Sequence, residues 1–595
     1  MSSSGQQFDA ERLGQFAAIG VLAVAAVVAA MAALQYLTGW PQPVVVGVGI
    51  VAIAAVGALG KLTYRWWGLS AADRKLRDTS NLGEVMGDGA AKKGAELRGI
   101  EPGQNPKRDL ASLANVIGTV AGQPKNHVYK TLEDFSLIIM GPRSNKTSSQ
   151  AVPRILSAIG AVVATSNKPD LWILTAALRK RRGPVYAYDP GRIAFVEQMW
   201  WWNILRDINS FNTAMRMATH FMAGVGSDDA EKGNSGFFDS GAKYMLARNM
   251  LAAAISGHSM RDVIEWIDTY SRKPVELLHT HGQHQAANAL EGQLDLPHET
   301  LGGIQGGASA ALACIQDETS LTWITPPHTW DTPPDRDIPE LDLWTLFTAD
   351  TTTAPTLYLM TQEGAESAGP VVAAMVDHLF KLADLAASAQ GGRVDPPVTM
   401  VLDEAANICK IENLHKLASH LGSKGILVDV ILQSSQQGMG VWGRQHMGAL
   451  WGASTTRIVG AGLQNVEDAQ MVSTLIGTHK VWLTNSSGPQ GKSRSLVDEP
   501  IMRLEEVAAL PRKNAILIRQ GSRPLLMDLL PWYNEDDAAD ITMYAATATQ
   551  EVRQSAMRAL GTSNALGRHL HAVAADRVDI SKDRAAVVAE SVESA

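Results

Sequence analysis

From residue 132 to residue 519, short apolar runs of the β-strand type alternate with helical stretches. Such alternation favours a parallel sheet with helices on both faces. An Ala- and Met-rich segment, 199–300, interrupts it and is predicted to be an all-α insertion. The predicted fold class is therefore α/β. The strand-like runs are 136–140, 161–165, 185–188, 356–360, 398–402, 426–432, 456–459 and 515–519.

The composition of the 595 residues excludes several classes of protein. With 46% apolar and 19% charged residues, the chain can bury a large core and is not of the disordered class. Its net charge of −8 argues against a protein that coats nucleic acid by bulk charge, although it does not exclude a local basic groove. The two cysteines, Cys314 and Cys409, are far apart, which excludes a disulfide scaffold and a zinc ribbon.

No charged residue occurs between Arg12 and Lys61. Two apolar segments in this span, 16–37 and 44–60, approach the ~20 residues that a membrane helix needs, and prolines between them favour a two-helix transmembrane hairpin. Basic residues follow, so the positive-inside rule predicts a multi-pass protein of the cytoplasmic membrane with both termini in the cytoplasm. A signal peptide fits less well because the first ten residues lack positive charge. A buried hairpin of a soluble protein is a second alternative.

A degenerate phosphate-binding loop follows the first strand-like run. In the standard motif GxxxxGK[ST], backbone N–H groups, a lysine and a hydroxyl bind phosphates and Mg²⁺. Lys146 and Thr147 keep their places here, but Asn145 replaces the second glycine and Gly141 is displaced by one residue. Asn tolerates a left-handed backbone, so the loop can still close; an ordinary turn before a helix is the alternative. The predicted cofactor-binding residues are Gly141, Pro142, Arg143, Ser144, Asn145, Lys146, Thr147 and Ser148.

Two adjacent carboxylates, Asp403 and Glu404, end the apolar run 398–402. They fit the Walker B pattern, in which the first acid orients the Mg²⁺ shell and the second polarises the attacking water. Buried like charges are costly, so the pair favours a functional site over a strand that simply leaves the core. The next run ends in Gln433, whose amide can sense the γ-phosphate. The predicted metal ligands are Thr147 and Asp403, and the predicted catalytic residues include Glu404, Lys146 and Gln433.

These segments, in their order, resemble the type IV secretion coupling proteins, the TraG/TraD-type conjugative DNA-transfer ATPases. Besides the hairpin and the loop, the resemblance rests on VVATSNKPD at 162–170, LDEAANI at 402–408, GSKGI at 422–426 and the strand tip at Gln433. It covers the order of elements from about residue 14 to residue 535. Asn145, Asn167 and Ala406 depart from the family pattern, in which an aspartate is usual in the place of Asn167. These departures bear on the rate of hydrolysis more than on the fold.

The resemblance implies a RecA-like P-loop motor domain interrupted by an all-α domain and assembled as a hexameric ring. It implies ATP and Mg²⁺ as cofactors, and delivery of relaxase-bound single-stranded DNA, or of a protein substrate, to the channel components of a type IV secretion system. In a ring, a basic residue of the neighbouring subunit can act as an arginine finger. Arg457 and Lys424 are the candidates, and a solvated surface charge is the alternative for either.

Two other functions stay open. Asn145 favours a weakly hydrolysing membrane scaffold for substrate recruitment, whereas the intact lysine, hydroxyl, carboxylates and glutamine favour a motor. A FtsK/HerA-type DNA translocase would share the motor core. The predicted domains are a hairpin in 1–69, a connector in 70–130, a nucleotide-binding domain in 131–198 and 301–545, the all-α insertion in 199–300 and a C-terminal tail in 546–595.

Overall fold

The computed structural model describes residues 71–101, 110–224, 235–348, 350, 352–364, 367–463, 465–486 and 492–574. The chain divides into two compact units, Thr79–Val472 with Leu504–Ala595, and Met1–Asp78 with Ser473–Arg503.

The strands are β1 (Asn115–Val120), β2 (His127–Lys130), β3 (Ser136–Ile139), β4 (Val162–Ser166), β5 (Val185–Tyr188), β6 (Thr356–Met360), β7 (Val398–Leu402), β8 (Ile426–Leu432), β9 (Thr456–Gly460), β10 (Thr478–Ser486), β11 (Lys492–Pro500), β12 (Asn514–Arg519) and β13 (Leu525–Asp528). The α-helices are α1 (Ala71–Leu76), α2 (Gly87–Arg98), α3 (Val152–Ser157), α4 (Asp170–Lys180), α5 (Phe211–Met222), α6 (Ser235–Ser256), α7 (Met260–Asp268), α8 (Lys273–Thr280), α9 (His284–Leu294), α10 (His298–Leu312), α11 (Glu318–Leu321), α12 (Gly369–Ala389), α13 (Ala405–Ile408), α14 (Leu414–Leu417), α15 (Ser435–Ala453), α16 (Val466–Ile476), α17 (Leu504–Ala508) and α18 (Ala538–Leu560).

One eleven-stranded sheet organises the larger unit, in the order β2-β1-β13-β12-β9-β3-β8-β7-β4-β6-β5. All neighbours from β9 to β5 are parallel, whereas β12, β13, β1 and β2 extend the sheet through antiparallel pairs. In the smaller unit, β10 and β11 form a separate antiparallel hairpin. Because carboxyl ends of parallel strands share one edge, the segments that follow β3, β4, β6, β7 and β8 meet there.

The α/β class is confirmed, and each predicted strand-like run is a strand whose ends agree within one residue. β3, β7 and β8 are buried along their whole length. Strands covered on both faces are almost continuously apolar, and Asp429 of β8 is the one charged residue in these three, which explains why they can be recognised in the sequence. The prediction does not include β1, β2, β13 or the hairpin β10–β11, which are short or carry many polar residues.

Helices α5 to α11 lie between β5 and β6, and no strand occurs between those two in the described part of the chain. α5 is joined to α12 through Asp377, which pairs with Arg216 and lies 2.9 Å from His220 Nε2. Burial by itself would raise the pKa of Asp377, but the hydrogen bonds and charges of His220 and Arg216 hold that pKa well below its usual range. The helical segment is therefore tied to the sheet-covering helix α12 by an ionised carboxylate.

Within the described ranges, no helix is both long and apolar enough to cross a membrane. α6 and α12 have sufficient length, 22 and 21 residues, but each carries charged side chains in its middle, such as Lys243 and Asp377. Charged groups are costly inside a bilayer. This finding contradicts the predicted multi-pass membrane location, and it leaves the transmembrane hairpin without support. The segments on which both predictions rested, 16–37 and 44–60, lie outside the described residues.

Candidate active site

The loop after β3 is held by the ends of the two neighbouring strands. The Met140 amide donates to the Leu432 carbonyl at the end of β8, and the Gly141 amide donates to the Ala461 carbonyl just after β9, each at 3.0 Å. A Cβ atom at position 141 would lie 2.2 Å from the Gly462 carbonyl oxygen. Only glycine fits this close approach, so the displaced glycine of the motif is required by packing.

Two loop residues have left-handed backbone conformations. The φ angle is 57° at Arg143 and 69° at Asn145. For residues other than glycine this region costs roughly 1–2 kcal/mol, and such strain persists where the surroundings fix the backbone. Here the Ser144 hydroxyl donates to the Gly141 carbonyl at 2.5 Å. The loop therefore closes with Asn145 in the place of glycine, as its side-chain type led us to expect.

The loop continues into a π-helical turn, Thr147–Ala151, and then into α3. The Asn145 carbonyl accepts hydrogen bonds from the Ser149 amide at 2.8 Å and from the Ser149 hydroxyl at 2.7 Å. The first amides of a helix have no acceptor within the helix, and the helix dipole adds partial positive charge. Together they favour an anion such as a phosphate at the carboxyl edge of the sheet. Pro142 and Arg143 are exposed, while the Lys146 side chain is mostly buried.

Two buried acidic residues, Asp403 and Glu404, lie directly after β7. Glu404 Oε1 pairs with the Lys146 ammonium, and the Gln433 amide nitrogen donates to both Glu404 oxygens, at 2.9 and 3.0 Å. The Thr147 hydroxyl is 3.5 Å from Asp403 Oδ2. The structure thus brings together side chains from three separate sequence motifs: the loop, the acidic strand end and the glutamine strand tip.

The electrostatics of the cluster suit a divalent cation. Burial raises the pKa of Asp403 to about 6. The positive charge of Lys146 lowers this pKa, and the negative charge of Glu404 raises it. Carboxylate and hydroxyl oxygens, such as those of Asp403 and Thr147, are ligands that Mg²⁺ prefers. Among the residues with a described position, no group of three or more His, Cys, Asp or Glu side chains could hold a metal ion. A Mg²⁺ ion at this cluster would therefore complete its shell with water and phosphate oxygens.

Arg457 and Lys424 do not join the cluster. Arg457 is the second residue of β9, in register with Leu137 of β3, and lies toward the amino end of the strand, away from the loop. Its guanidinium lies over the Trp451 ring, 5.5 Å from the ring centroid. Lys424 precedes β8 and pairs with Asp384. Neither cation reaches the loop of its own chain, and a role in the site of a neighbouring subunit stays a prediction.

Glu363 and Asn407 also belong to the site, although neither was predicted as a site residue; Asn407 lies within the segment LDEAANI, and Glu363 lies in none of the motifs. The Asn407 amide nitrogen lies 3.3 Å from Glu404 Oε2 and 2.8 Å from Glu363 Oε1. Asn167 donates to the same Glu363 oxygen at 2.6 Å. Glu363 follows β6 and Asn167 follows β4, so their position at the shared carboxyl edge is the one signal that could have pointed to them.

Two family models match the chain. The model described as "Type IV secretory system Conjugative DNA transfer" matches residues 97–320, and the model described as "TraM recognition site of TraD and TraG" matches residues 397–512. Together these segments make up more than half of the chain. The chain belongs to the type IV secretion coupling proteins. The resemblance drawn from the sequence motifs is confirmed.

Solved structures similar to this coupling protein include the bacterial conjugative coupling protein TrwBΔN70 in its unbound form, with a TM-score of 0.49 and 16% identity over 69% of this chain and 88% of that chain. TrwB in complex with ADP and Mg²⁺ gives a TM-score of 0.49 and 16% identity over 70% and 89%. VirB4 of Thermoanaerobacter pseudethanolicus gives 0.41 and 10% identity over 70% and 96%. No curated protein sequence matches the coupling protein.

Proposed function

We propose that this coupling protein is a P-loop ATPase that drives relaxase-bound single-stranded DNA, or a protein substrate, to a type IV secretion channel. The observation that carries the proposal is the convergence of the loop lysine and hydroxyl, two carboxylates and a glutamine amide at one edge of the parallel sheet. Burying these charges is costly, and a protein with a purely structural role has no need of the whole set.

The proposed cofactors are ATP and Mg²⁺. Lys146 contacts the β- and γ-phosphates, while the backbone amides of residues 143–148 surround them. Thr147 and Asp403 hold the Mg²⁺ ion, which neutralises phosphate charge. Glu404 accepts a proton from the attacking water, and Gln433 keeps the Glu404 carboxylate in place. Because Lys146 pairs with Glu404 in the structure, phosphate binding has to draw the lysine away from this carboxylate.

The proposed partners are further copies of the chain, single-stranded DNA, a relaxase and components of the secretion channel. We propose a hexameric ring as the active assembly, in which Arg457 or Lys424 serves the neighbouring subunit. The conjugative DNA transfer model that matches residues 97–320 supports the DNA partner. A TraM-type protein is a further proposed partner, because the matching model of residues 397–512 describes a TraM recognition site.

We also propose a RecA-like motor domain formed by residues 131–198 and 301–545, with an all-α domain in 199–300. Strands β3 to β13 fall in the first two ranges, although β10 and β11 belong to the smaller compact unit. Helices α5 to α9 fall in the insertion, and this order of strands and helices supports the division. The proposed connector, 70–130, contributes β1 and β2 to the far end of the sheet.

A weakly hydrolysing scaffold is the second candidate function, and one feature of the loop favours it. Asn145 holds the conformation that glycine adopts without cost, and its side chain occupies space beside the predicted phosphate position. Such a protein would recruit substrates in a nucleotide-dependent way with little turnover.

ATP hydrolysis by the full chain, measured with Mg²⁺ and with or without single-stranded DNA, separates the two functions. If the protein is a motor, hydrolysis is expected to rise severalfold with DNA and to stop when Mg²⁺ is chelated, because the ion neutralises the phosphates. Nucleotide binding without turnover in either condition would contradict the motor and favour the scaffold.

Replacing Asn145 by glycine is expected to tighten ATP binding by about fivefold, a change of ~1 kcal/mol, and to raise turnover. The Asn145 side chain makes no hydrogen bond with any residue whose position is described, so its removal costs no contact there, and glycine holds a φ of 69° without a steric penalty. Paired ATP-binding and ATPase measurements on both forms provide the check. A loss of binding and turnover would show that the Asn145 amide itself contacts the nucleotide or a neighbouring subunit.

A further inference from the structure

We propose that Glu363 is a positioning residue of the active site, which sets the direction of the Glu404 carboxylate through Asn407. The inference rests on the proposed ATP hydrolysis. It adds a residue that belongs neither to the loop, nor to the acidic strand end, nor to the glutamine strand tip. Glu363 is exposed, whereas Glu404 is 3% exposed, so the connection joins a surface turn to the buried carboxylate.

A bridging amide joins the two carboxylates. The Asn407 nitrogen has two hydrogens, and it lies 2.8 Å from Glu363 Oε1 and 3.3 Å from Glu404 Oε2. An ionised carboxylate accepts hydrogen bonds but cannot donate one. If the Asn407 amide were turned around, its oxygen would face both carboxylates and could form no hydrogen bond with either. Glu363 therefore holds Asn407 in the orientation that presents its N–H group to Glu404.

A second amide holds Glu363 itself. Asn167, which follows β4, donates to Glu363 Oε1 at 2.6 Å. An aspartate at position 167 would place a carboxylate against Glu363, and two like charges at this distance repel. Asparagine instead supplies a hydrogen bond, so the family departure at Asn167 is matched by the carboxylate at Glu363. Glu363 Oε1 thus accepts from two amides on two different segments, which fixes the turn after β6 to the site.

Glu404 depends on such contacts for its direction. Its backbone has a φ of 53°, so it lies at a sharp turn between β7 and α13 and not within a regular helix. Lys146, Gln433 and Asn407 contact its carboxylate in the structure. Once Lys146 turns to a phosphate, Gln433 and Asn407 are the contacts that continue to orient Glu404. Misplacing a reacting group by ~1 Å can cost about 10²-fold in rate.

Glu363→Ala in the full chain tests the inference, with steady-state ATP hydrolysis and equilibrium binding of a non-hydrolysable ATP analogue, both with Mg²⁺. We expect kcat to fall by about 10- to 100-fold, while the Kd of the analogue stays unchanged because Glu363 lies outside the phosphate loop. Glu363→Gln keeps an oxygen that accepts from both amides and is expected to retain most of kcat. Gln362→Ala, on the same exposed turn, is the matched control and is expected to retain the wild-type kcat and Kd.

Three results would overturn the inference. They are a wild-type kcat in Glu363→Ala, an equal loss of kcat in Glu363→Ala and Glu363→Gln, and a higher Kd of the analogue as the sole change in Glu363→Ala. A double-variant cycle gives an independent readout. In a Glu404→Gln background, Glu363→Ala is expected to have no further effect on hydrolysis, and an undiminished effect there would show that Glu363 acts apart from Glu404. The failure of the proposed function is visible separately, because the wild-type protein itself would then hydrolyse no ATP, and the inference would be overturned with it.

Discussion

Lys146→Ala is expected to abolish ATP hydrolysis, with a loss in kcat/KM of about 10²-fold or more. The Lys146 ammonium lies at the junction of the loop and the buried carboxylates, where it pairs with Glu404. In the proposed complex the same charge stabilises the β- and γ-phosphates as negative charge is redistributed in the transition state. The control is Lys92→Ala, which removes an exposed lysine of α2. Comparing Mg²⁺-dependent hydrolysis by the two variants separates the effect of Lys146 from that of a general change in charge.

The folding of this variant needs its own measurement, because alanine leaves Glu404 buried without its cation. Removing one partner of a buried ion pair typically costs ~3–5 kcal/mol, so the midpoint of thermal unfolding is expected to fall. The double variant Lys146→Ala/Glu404→Gln removes the unpaired charge and is expected to regain stability without regaining hydrolysis. Hydrolysis at the wild-type rate in either variant would contradict the proposed function.

Glu404→Gln is expected to bind ATP at least as tightly as the wild-type protein and to hydrolyse it about 10²- to 10⁴-fold more slowly. Glutamine has no carboxylate to accept a proton from water, which accounts for the loss of turnover. It also lacks the negative charge that holds Lys146 in the structure, so the lysine is more readily available to phosphate. Single-turnover hydrolysis and the lifetime of the bound nucleotide report the two effects separately.

A matched control is Glu412→Gln, which neutralises an exposed carboxylate after α13. Unchanged turnover in Glu404→Gln would place the base elsewhere in the site. If both Glu404→Gln and the wild-type protein bound ATP and neither hydrolysed it, the scaffold function would be favoured instead.

The main parts of the site were predictable because each lies at the end of a strand that is recognisable by itself. β3, β7 and β8 are buried on both faces, so their residues are mostly apolar and the change of residue type after each strand is conspicuous. Parallel strands place those polar ends at one edge, whatever the strand order. The contact between Lys146 and Glu404, 258 residues apart, follows from that rule.

The contribution of Glu363 could not be predicted, because it depends on which strands are neighbours. β4 and β6 are adjacent in the sheet although 196 residues separate Asn167 from Glu363. Local patterns identify strands and their ends, but the order of strands is set by packing across the whole sheet. Arg457 shows the same difficulty: its strand was predicted, yet only the register with β3 shows that the side chain lies toward the end opposite the loop.

The ion pair between Lys146 and Glu404 makes nucleotide affinity and the position of a carboxylate two aspects of one equilibrium. Because linkage is reciprocal, any partner that binds more tightly when Glu404 has left Lys146 raises the affinity for ATP by the same factor by which ATP raises the affinity for that partner. Couplings of this kind typically amount to about 1–3 kcal/mol, or roughly 5- to 150-fold. A cargo strand or a neighbouring subunit that contacts the Glu363 turn could therefore control how long ATP is retained without touching the nucleotide.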